Sequence, residues 1–218
     1  MYFTSREQAG VKLAGQLYDA YRYENCAVVA LSDGGVIVGE QIASFLHCVL
    51  TMLVVEPIEI PGEGLIIGEV SQTGAFTYNS DMTSGEIDGY VSEYSGYFQE
   101  KKRETFQRIN RLIGDGGTID RDLLRNRTII VVSDGMNDAT VIDAVVDFLK
   151  PIRIERLVIA APFISVEAVD KLHVRADKLF ILDVKQNYLE TNHYYDDNEI
   201  PSHEDTVEKI NEIILNWR

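Results

Sequence analysis

Two aspartates, Asp134 and Asp138, follow an apolar segment in the stretch 127–150, RTIIVVSDGMNDATVIDAVVDFLK. The β-branched run 128–133 predicts a buried strand, and the apolar spacing over 138–149 predicts an amphipathic helix. In open α/β proteins, a strand, a turn and a helix N-terminus in this order bind the phosphate groups of ligands. The turn is therefore a candidate site for a phosphorylated small molecule, with Mg²⁺ shared by Asp134 and Asp138 as a second candidate role.

The same turn also has a purely structural interpretation. It lacks the glycine-rich interior and the basic residue that phosphate-binding loops usually carry. Gly135 can adopt the positive φ of a tight turn, and Asn137, Asp138 or Thr140 can cap the following helix. Taken alone, the stretch favours this structural interpretation.

A phosphatase site is a further alternative. The residues 134–138, DGMND, resemble the DGxND element of haloacid-dehalogenase-type phosphatases. Those enzymes require a nucleophile in a D-x-D pattern at the end of the first strand, where this sequence has Leu31. The acidic phosphatase site is therefore disfavoured.

Composition limits the classes of partner. The 218 residues can bury a sizeable core, and the formal net charge is −15. Because binding to nucleic acids and anionic membranes depends on Lys and Arg neutralising phosphates, neither is expected as a partner. The sequence contains no Walker, G-x-G-x-x-G or G-x-S-x-G motif, and its four histidines lack the spacing of metal ligands.

The cysteines and the N-terminus indicate the compartment. Cys26 and Cys48 lie in apolar runs and are expected to be small buried hydrophobes in a reducing environment. The first residues, MYFTSREQAGVKLAG, lack the basic start and apolar core of a signal peptide, and no apolar run is long enough to span a bilayer. A cytoplasmic protein is expected.

Hydrophobic periodicity predicts an alternation of helices and strands. The predicted strands are 26–32, 49–56, 128–133, 156–162 and 178–184, with an antiparallel hairpin within 64–79 and a polar loop over 80–89. The predicted helices are 5–21, 36–47, 90–113 ending at GDGG, 138–149, 165–174 and a last helix after Pro201, capped by Ser202 with Asp205. The expected fold class is α/β, with a mainly parallel central sheet covered by helices on both faces.

Three loops leave the carboxyl ends of predicted strands, where open parallel sheets bind ligands: 32–35, 56–64 and 133–140. Taken in order, the segments VVALSDGGVIVGEQIA, LVVEPIEIPGE, RTIIVVSDGMNDAT, RLVIAAP and RADKLFILDV resemble the type I phosphoribosyltransferase family, in particular its stand-alone bacterial members. The resemblance runs from Phe3 to Asp196. It implies a phosphoribosyltransferase-like (Rossmann-like) core over 1–184 and a small C-terminal hood over 185–218, both in one domain.

The resemblance also implies a ligand and an assembly. Members of the family bind 5-phosphoribosyl-1-pyrophosphate with Mg²⁺ and exchange its pyrophosphate for a nucleobase or related amine. They commonly form dimers, so a homodimer is expected.

Carried over position by position, the resemblance assigns three groups of residues. In the ribose-phosphate loop, Ser133 and Asp134 stand where the family has two acidic residues that hold the ribose hydroxyls. The rest of that loop, whose backbone N–H groups hold the 5′-phosphate in the family, is Gly135, Met136, Asn137, Asp138, Ala139 and Thr140. The pyrophosphate loop corresponds to Ser32, Asp33, Gly34 and Gly35, and the loop after the second strand contains Glu56 and Pro57.

Departures from the family make the expected pocket acidic. Asp33 replaces an arginine, Glu56 replaces a basic residue, and Asp138 joins them opposite a polyanionic ligand. Two like charges about 4 Å apart repel by about 1 kcal/mol in water and by about 4 kcal/mol at an effective dielectric constant of 20. The first hypothesis is therefore a weakly active or non-catalytic binding or regulatory protein, whose pocket takes a different ligand such as a cation or basic group.

An active Mg²⁺-dependent transferase is the alternative, with Asp134 on the ribose and the backbone of 136–140 on the phosphate. Lys101, Lys102 and Arg103 could restore the lost charge if their helix folded over the pocket, although a solvated helix face is the simpler interpretation. The same helix carries aromatic candidates for a dimer interface, which are Tyr90, Tyr94, Tyr97 and Phe98.

Overall fold

The computed structural model describes residues 1–113 and 119–216, with side chains as far as residue 213. The α-helices of these residues are Arg6–Tyr21 (α1), Asp33–Leu46 (α2), Ser84–Glu93 (α3), Ser95–Ile113 (α4), Thr140–Leu149 (α5), Val166–Arg175 (α6) and His203–Asn216 (α7). The strands are Cys26–Ala30 (β1), Val49–Met52 (β2), Val55–Glu59 (β3), Ile66–Ser71 (β4), Phe76–Tyr78 (β5), Thr128–Val132 (β6), Arg156–Ser165 (β7) and Lys178–Lys185 (β8). The fold class is α/β, as predicted.

Two compact units divide the chain. Unit 1 contains Met1–Leu53, Ile119–Ala139 and Ile152–Arg218, and unit 2 contains Val54–Thr118 and Thr140–Pro151. The expected division into a core and a hood at residue 184 stays a prediction.

Unit 1 is built on a parallel sheet whose described strands have the order β2-β1-β6-β7-β8. Every residue of β1, β2 and β6 is buried, as expected for a parallel sheet that is covered on both faces. From β1 the chain continues to β2 on one side, whereas the strands after β6 continue on the other. The carboxyl ends of β1 and β6 are neighbours, with Ala30 opposite Val132. Such a reversal of strand order opens a crevice in which α/β proteins bind ligands.

Unit 2 contains an antiparallel sheet of order β3-β4-β5, against which α4 and α5 pack. The predicted hairpin is confirmed as β4 and β5. The predicted strand 49–56 is wrong. Strand β2 ends at Met52, and Val55 begins β3, which belongs to the other sheet. The backbone N–H of Val54 donates to the side-chain oxygen of Gln72 (2.8 Å), which stabilises this change of sheet. The continuous apolar run contains no turn residue that would have marked this change of sheet.

The predicted helix 90–113 is two helices. The first helix begins at Ser84, six residues before the predicted start, where Thr83 and Glu86 form a capping box. It ends at Glu93, because the φ of −113° and ψ of 26° at Tyr94 interrupt the helix. The predicted loop over 80–89 is therefore partly helical. The capping-box signal Thr-x-x-Glu was present in the sequence. The stretch GDGG at 114–117 lies outside the described residues.

Smaller features agree with the sequence. Ser202 and Asp205 are joined by hydrogen bonds at the start of α7, as predicted. Both cysteines are buried and free, and burial raises the pKa of the thiols to about 11 for Cys26 and about 12 for Cys48. Among the helices that the structure describes, none is long and apolar enough to cross a membrane.

The packing of Gly68 in β4 yields a stability prediction. A Cβ atom at Gly68 would lie 2.3 Å from the backbone oxygen of Thr77, so we expect Gly68→Ala to lower the free energy of unfolding by about 1–3 kcal/mol. Gly89 in α3 has no neighbour within 4 Å, and Gly89→Ala should stabilise by about 0.5–1 kcal/mol. Urea denaturation measures both variants. Equal stability of Gly68→Ala and the wild type would contradict the packing of this sheet.

Candidate functional site

A pocket of about 290 Å³ lies in unit 1 at the carboxyl ends of β1 and β6. The start of α2, the residue Asp134 after β6 and the residue Arg6 of α1 form its inner part. The segment after β8 forms another wall. The lining residues are Arg6, Ser32, Asp33, Gly34, Asp134, Glu190, Thr191, Asn192 and Ile200.

Helix capping places the first two segments. The side chain of Ser32 accepts a hydrogen bond from the backbone N–H of Gly35 (2.9 Å), which begins α2 at Asp33, three residues before the predicted start. The side chain of Ser5 caps α1 in the same way, so Arg6 is the first residue of that helix. Phe3 pairs with the segment after β8 through backbone hydrogen bonds, which fixes the approach to α1.

A buried ion pair joins α1 to the loop after β6. The Arg6 side chain is 2% exposed, and its Nε donates to Oδ2 of Asp134 (2.8 Å). The hydroxyl of Ser32 donates to the other carboxylate oxygen of Asp134 (2.9 Å). Both oxygens of the Asp134 carboxylate are therefore engaged within the protein.

The same arginine holds the segment after β8. Its Nη2 donates to Oδ1 of Asn192 (2.6 Å), and Nη1 makes a longer contact to Oδ1 of Asn198 (3.4 Å). The guanidinium lies over the ring of Tyr195, 4.5 Å from the centroid. The Tyr195 hydroxyl donates to the backbone oxygen of Asp134 (2.6 Å). Burial, and then the charge of Asp134, raise the pKa of Tyr195, so this hydroxyl remains a donor at physiological pH.

Backbone groups of the loop after β6 are largely used within unit 1. The N–H of Gly135 donates to the Ser133 hydroxyl (3.3 Å), and the N–H of Met136 donates to the backbone oxygen of Phe163 (3.0 Å). The hydroxyl of Ser165 donates to the backbone oxygen of Asn137. Gly135 leaves no room for a side chain, because a Cβ atom there would lie 2.2 Å from the hydroxyl of Tyr188. At Met136 the loop thus continues the pairing of β6 with β7.

Glycine is also required at Gly34. A Cβ atom at this position would lie 2.2 Å from Oδ2 of Asp134 and 2.8 Å from Nε of Arg6. The absence of a side chain at Gly34 therefore makes room for the ion pair of Arg6 and Asp134.

Asp33 has a partner from the C-terminal helix. Nδ1 of His203, the first residue of α7, lies 2.9 Å from Oδ1 of Asp33. Nε2 of His203 is buried and has no hydrogen-bond partner among the described residues. Glu190, in contrast, is an exposed carboxylate at the pocket wall.

The structure brings some of the predicted site residues together and separates others. Ser32, Asp33 and Gly34 line one pocket with Asp134, and the backbone N–H of Gly35 donates to the Ser32 side chain that caps α2. Glu56 and Pro57 lie within strand β3 of unit 2, which corrects their predicted place in a loop, and Glu56 is paired with Arg108 (2.6 Å). Thr140 begins α5, which also belongs to unit 2.

Basic residues of α4 and the aromatic residues predicted for a dimer interface are engaged within unit 2. Lys101 pairs with Glu104, and the ammonium of Lys102 lies 3.5 Å from the centroid of the Phe76 ring. The predicted dimer residues pack on the apolar core of this unit; these are Tyr90, Tyr94, Tyr97 and Phe98.

The arrangement around Asp134 does not fit a magnesium ion. A guanidinium and a hydroxyl each donate to one of the two carboxylate oxygens, and a cation bound there would face the charge of Arg6. Over the described parts of the chain, no cluster of three or more His, Cys, Asp and Glu side chains could hold a metal.

Sequence reasoning missed the residues that complete the pocket. Arg6, Asn192, Tyr195 and His203 lie far in sequence from the three loops. Arg6 had one available signal, its place directly after the helix-capping Ser5. Nothing local marks a helix-starting arginine as a buried ion-pair residue.

Comparisons with known proteins establish the fold. No protein-family model matches the sequence. The chain is similar to TT1426 from Thermus thermophilus, with a TM-score of 0.70 and 23% identity over 100% of this chain and 99% of that one. Weaker matches include a hypoxanthine-guanine phosphoribosyltransferase from Bacillus anthracis (TM-score 0.48, 11% identity, 87% of this chain and 83% of that one). Another weak match is a hypoxanthine phosphoribosyltransferase from Staphylococcus aureus (TM-score 0.47, 12% identity, 85% of this chain and 77% of that one). TT1426 shares the fold, and the weaker matches add no argument.

The buried ion pair yields a quantitative prediction. We expect Arg6→Met to lower the free energy of unfolding by about 3–5 kcal/mol, because it leaves the Asp134 carboxylate buried and unpaired. The double variant Arg6→Met/Asp134→Asn should be destabilised by less than the sum of the two single variants. Arg22→Met, on the exposed end of α1, should change stability by no more than about 0.5 kcal/mol. Additive effects of the two single changes in chemical denaturation would contradict the pairing.

Proposed function

We propose that this chain is a diverged phosphoribosyltransferase-like protein that binds a small molecule in the unit 1 pocket and has little or no transferase activity. The observation that carries the proposal is the engagement of both Asp134 carboxylate oxygens by Arg6 and Ser32. The order of loops along the sequence supports the family relationship, and the crevice between β1 and β6 supports ligand binding.

Ribose binding is the first function that this pairing opposes. Asp134 is the acidic residue that the resemblance leaves for the ribose hydroxyls. A ligand diol would have to reach the remaining lone pairs of a carboxylate that is 11% exposed, or displace the guanidinium and the hydroxyl that already donate to it. Displacement would leave the Arg6 charge, itself 2% exposed, without its partner, and an unpaired buried charge costs several kcal/mol.

Phosphate binding is opposed as well. The backbone N–H groups of Gly135 and Met136 already have acceptors within unit 1. The more exposed charges of the pocket are the carboxylates of Asp33 and Glu190, whereas the single lining arginine is buried in its ion pair. A polyanion would therefore meet like charges, each repulsion amounting to about 1–4 kcal/mol at about 4 Å. A neutral or cationic small molecule suits this surface better.

The alternative function is an active Mg²⁺-dependent transferase, which the test must distinguish from a diverged binding protein. It requires Arg6 to leave Asp134 when the ligand and metal bind. The homodimer and the cytoplasmic location stay predictions.

Calorimetric titration with phosphoribosyl pyrophosphate in excess Mg²⁺ tests the proposal. We expect no detectable binding at millimolar ligand, because Asp134 is engaged and the accessible pocket wall is acidic. Phosphate and magnesium chloride, titrated separately, control for binding of either component alone. A micromolar dissociation constant, equivalent to about −8 kcal/mol, would refute the proposal and favour the transferase.

A further inference from the structure

One wall of the unit 1 pocket is an exposed segment between two buried anchors. We call residues 198–203, NEIPSH, the flap. Tyr194 and Tyr195, just before it, are 3% and 4% exposed and pack with Phe3 and Phe163. Thr206 in α7, just after it, is fully buried. The flap itself has no fully buried residue, and Ile200 lines the pocket while remaining 41% exposed.

The two ends of the flap are held differently. At its start, the side-chain nitrogen of Asn198 donates to the backbone oxygens of Asn192 and Tyr195, both at 3.1 Å, so this end belongs to the anchored segment. At its end, Ser202 is hydrogen-bonded to Asp205 and Thr206 of α7, and His203 contacts Asp33 across the pocket wall at 2.9 Å. Among the described hydrogen bonds, this one alone ties residues 199–203 to α2.

The His203 contact carries an internal cost. A hydrogen bond to a carboxylate stabilises the closed flap, but Nε2 of the same ring is buried without a partner among the described residues. A buried polar atom without a hydrogen bond costs free energy of the same order as one such bond contributes. When the flap opens, water can reach both ring nitrogens. The unpartnered Nε2 therefore offsets part of the stabilisation that the His203–Asp33 contact gives to the closed flap.

We propose that residues 198–203 form a movable flap over the unit 1 pocket and that the His203–Asp33 contact is its latch. Opening breaks the His203–Asp33 contact and the Ser202 hydrogen bonds at the start of α7, turns about the Tyr194–Tyr195 anchor, and further exposes Asp33, whose side chain is 30% exposed in the closed arrangement. The anchors on both sides limit the motion to the flap, and the Arg6–Asp134 pair stays intact. This proposal concerns access to the pocket and is independent of whether the protein transfers a phosphoribosyl group.

Hydrogen exchange of the amides bonded to the flap tests the latch. We expect His203→Ala to speed exchange of the Asp205 and Thr206 amides, which donate to Ser202, about tenfold or more relative to exchange in β6. Asp33→Ala should do the same from the other side of the contact. His203→Asn, which keeps a donor at the position of Nδ1, should remain close to the wild type. His173→Ala, at an exposed position of α6, is the matched control and should have no effect.

The ratio to β6 separates flap opening from general loss of stability. If this ratio is the same in wild type, His203→Ala and Asp33→Ala, the latch does not exist and the proposal is overturned.

Access to the pocket is tested with a thiol at Ser32, which lines it. In Ser32→Cys, a small methanethiosulfonate reagent should react several-fold faster when His203→Ala is also present. Cys26 and Cys48 are buried with raised thiol pKa values and should contribute little background. Equal labelling rates in the two proteins would show that the flap does not gate the pocket.

Discussion

The ion pair between Arg6 and Asp134 is the constraint on which the pocket depends. Two charges removed from water require a short, directed contact and partners for their remaining polar atoms, because an unpaired buried charge is strongly destabilising. Here those partners come from distant parts of the chain: Ser32, Asn192 and Tyr195. The pair thereby fixes α1, the start of α2 and the segment after β8 around a single carboxylate.

This pair changes the meaning of the acidic loop residues. The sequence has the acidic residues Asp33 and Glu56 where the resembled family has basic residues, and it predicted an acidic pocket. The structure adds Arg6 next to Asp134 and His203 next to Asp33, so two of the carboxylates have partners of their own. These loop residues make contacts within the protein, and Gly34 and Gly135 make room for side chains of the chain itself.

Much of the fold was predictable, because continuous β-branched runs and helical spacing are local signals. The β1, β6 and β7 strands, the hairpin and the capped start of α7 follow from them. The break between β2 and β3 was not predictable, since Val54 changes sheet through a hydrogen bond to Gln72, a residue that local sequence does not connect to it. Ser32, Asp33, Gly34 and Asp134 were predicted to share a site. Arg6 and His203 were missed because long-range pairing leaves no periodic trace.

The Asp134 carboxylate is bound by Arg6 and Ser32 of the protein itself, and we propose that it does not bind a ligand. The NMR signal of the Arg6 Nε–H reports this directly, assigned by its loss in Arg6→Met. We expect a slowly exchanging signal that is perturbed in Asp134→Asn and unchanged by millimolar phosphoribosyl pyrophosphate with Mg²⁺. A rapidly exchanging signal, or one that shifts when this ligand is added, would contradict it.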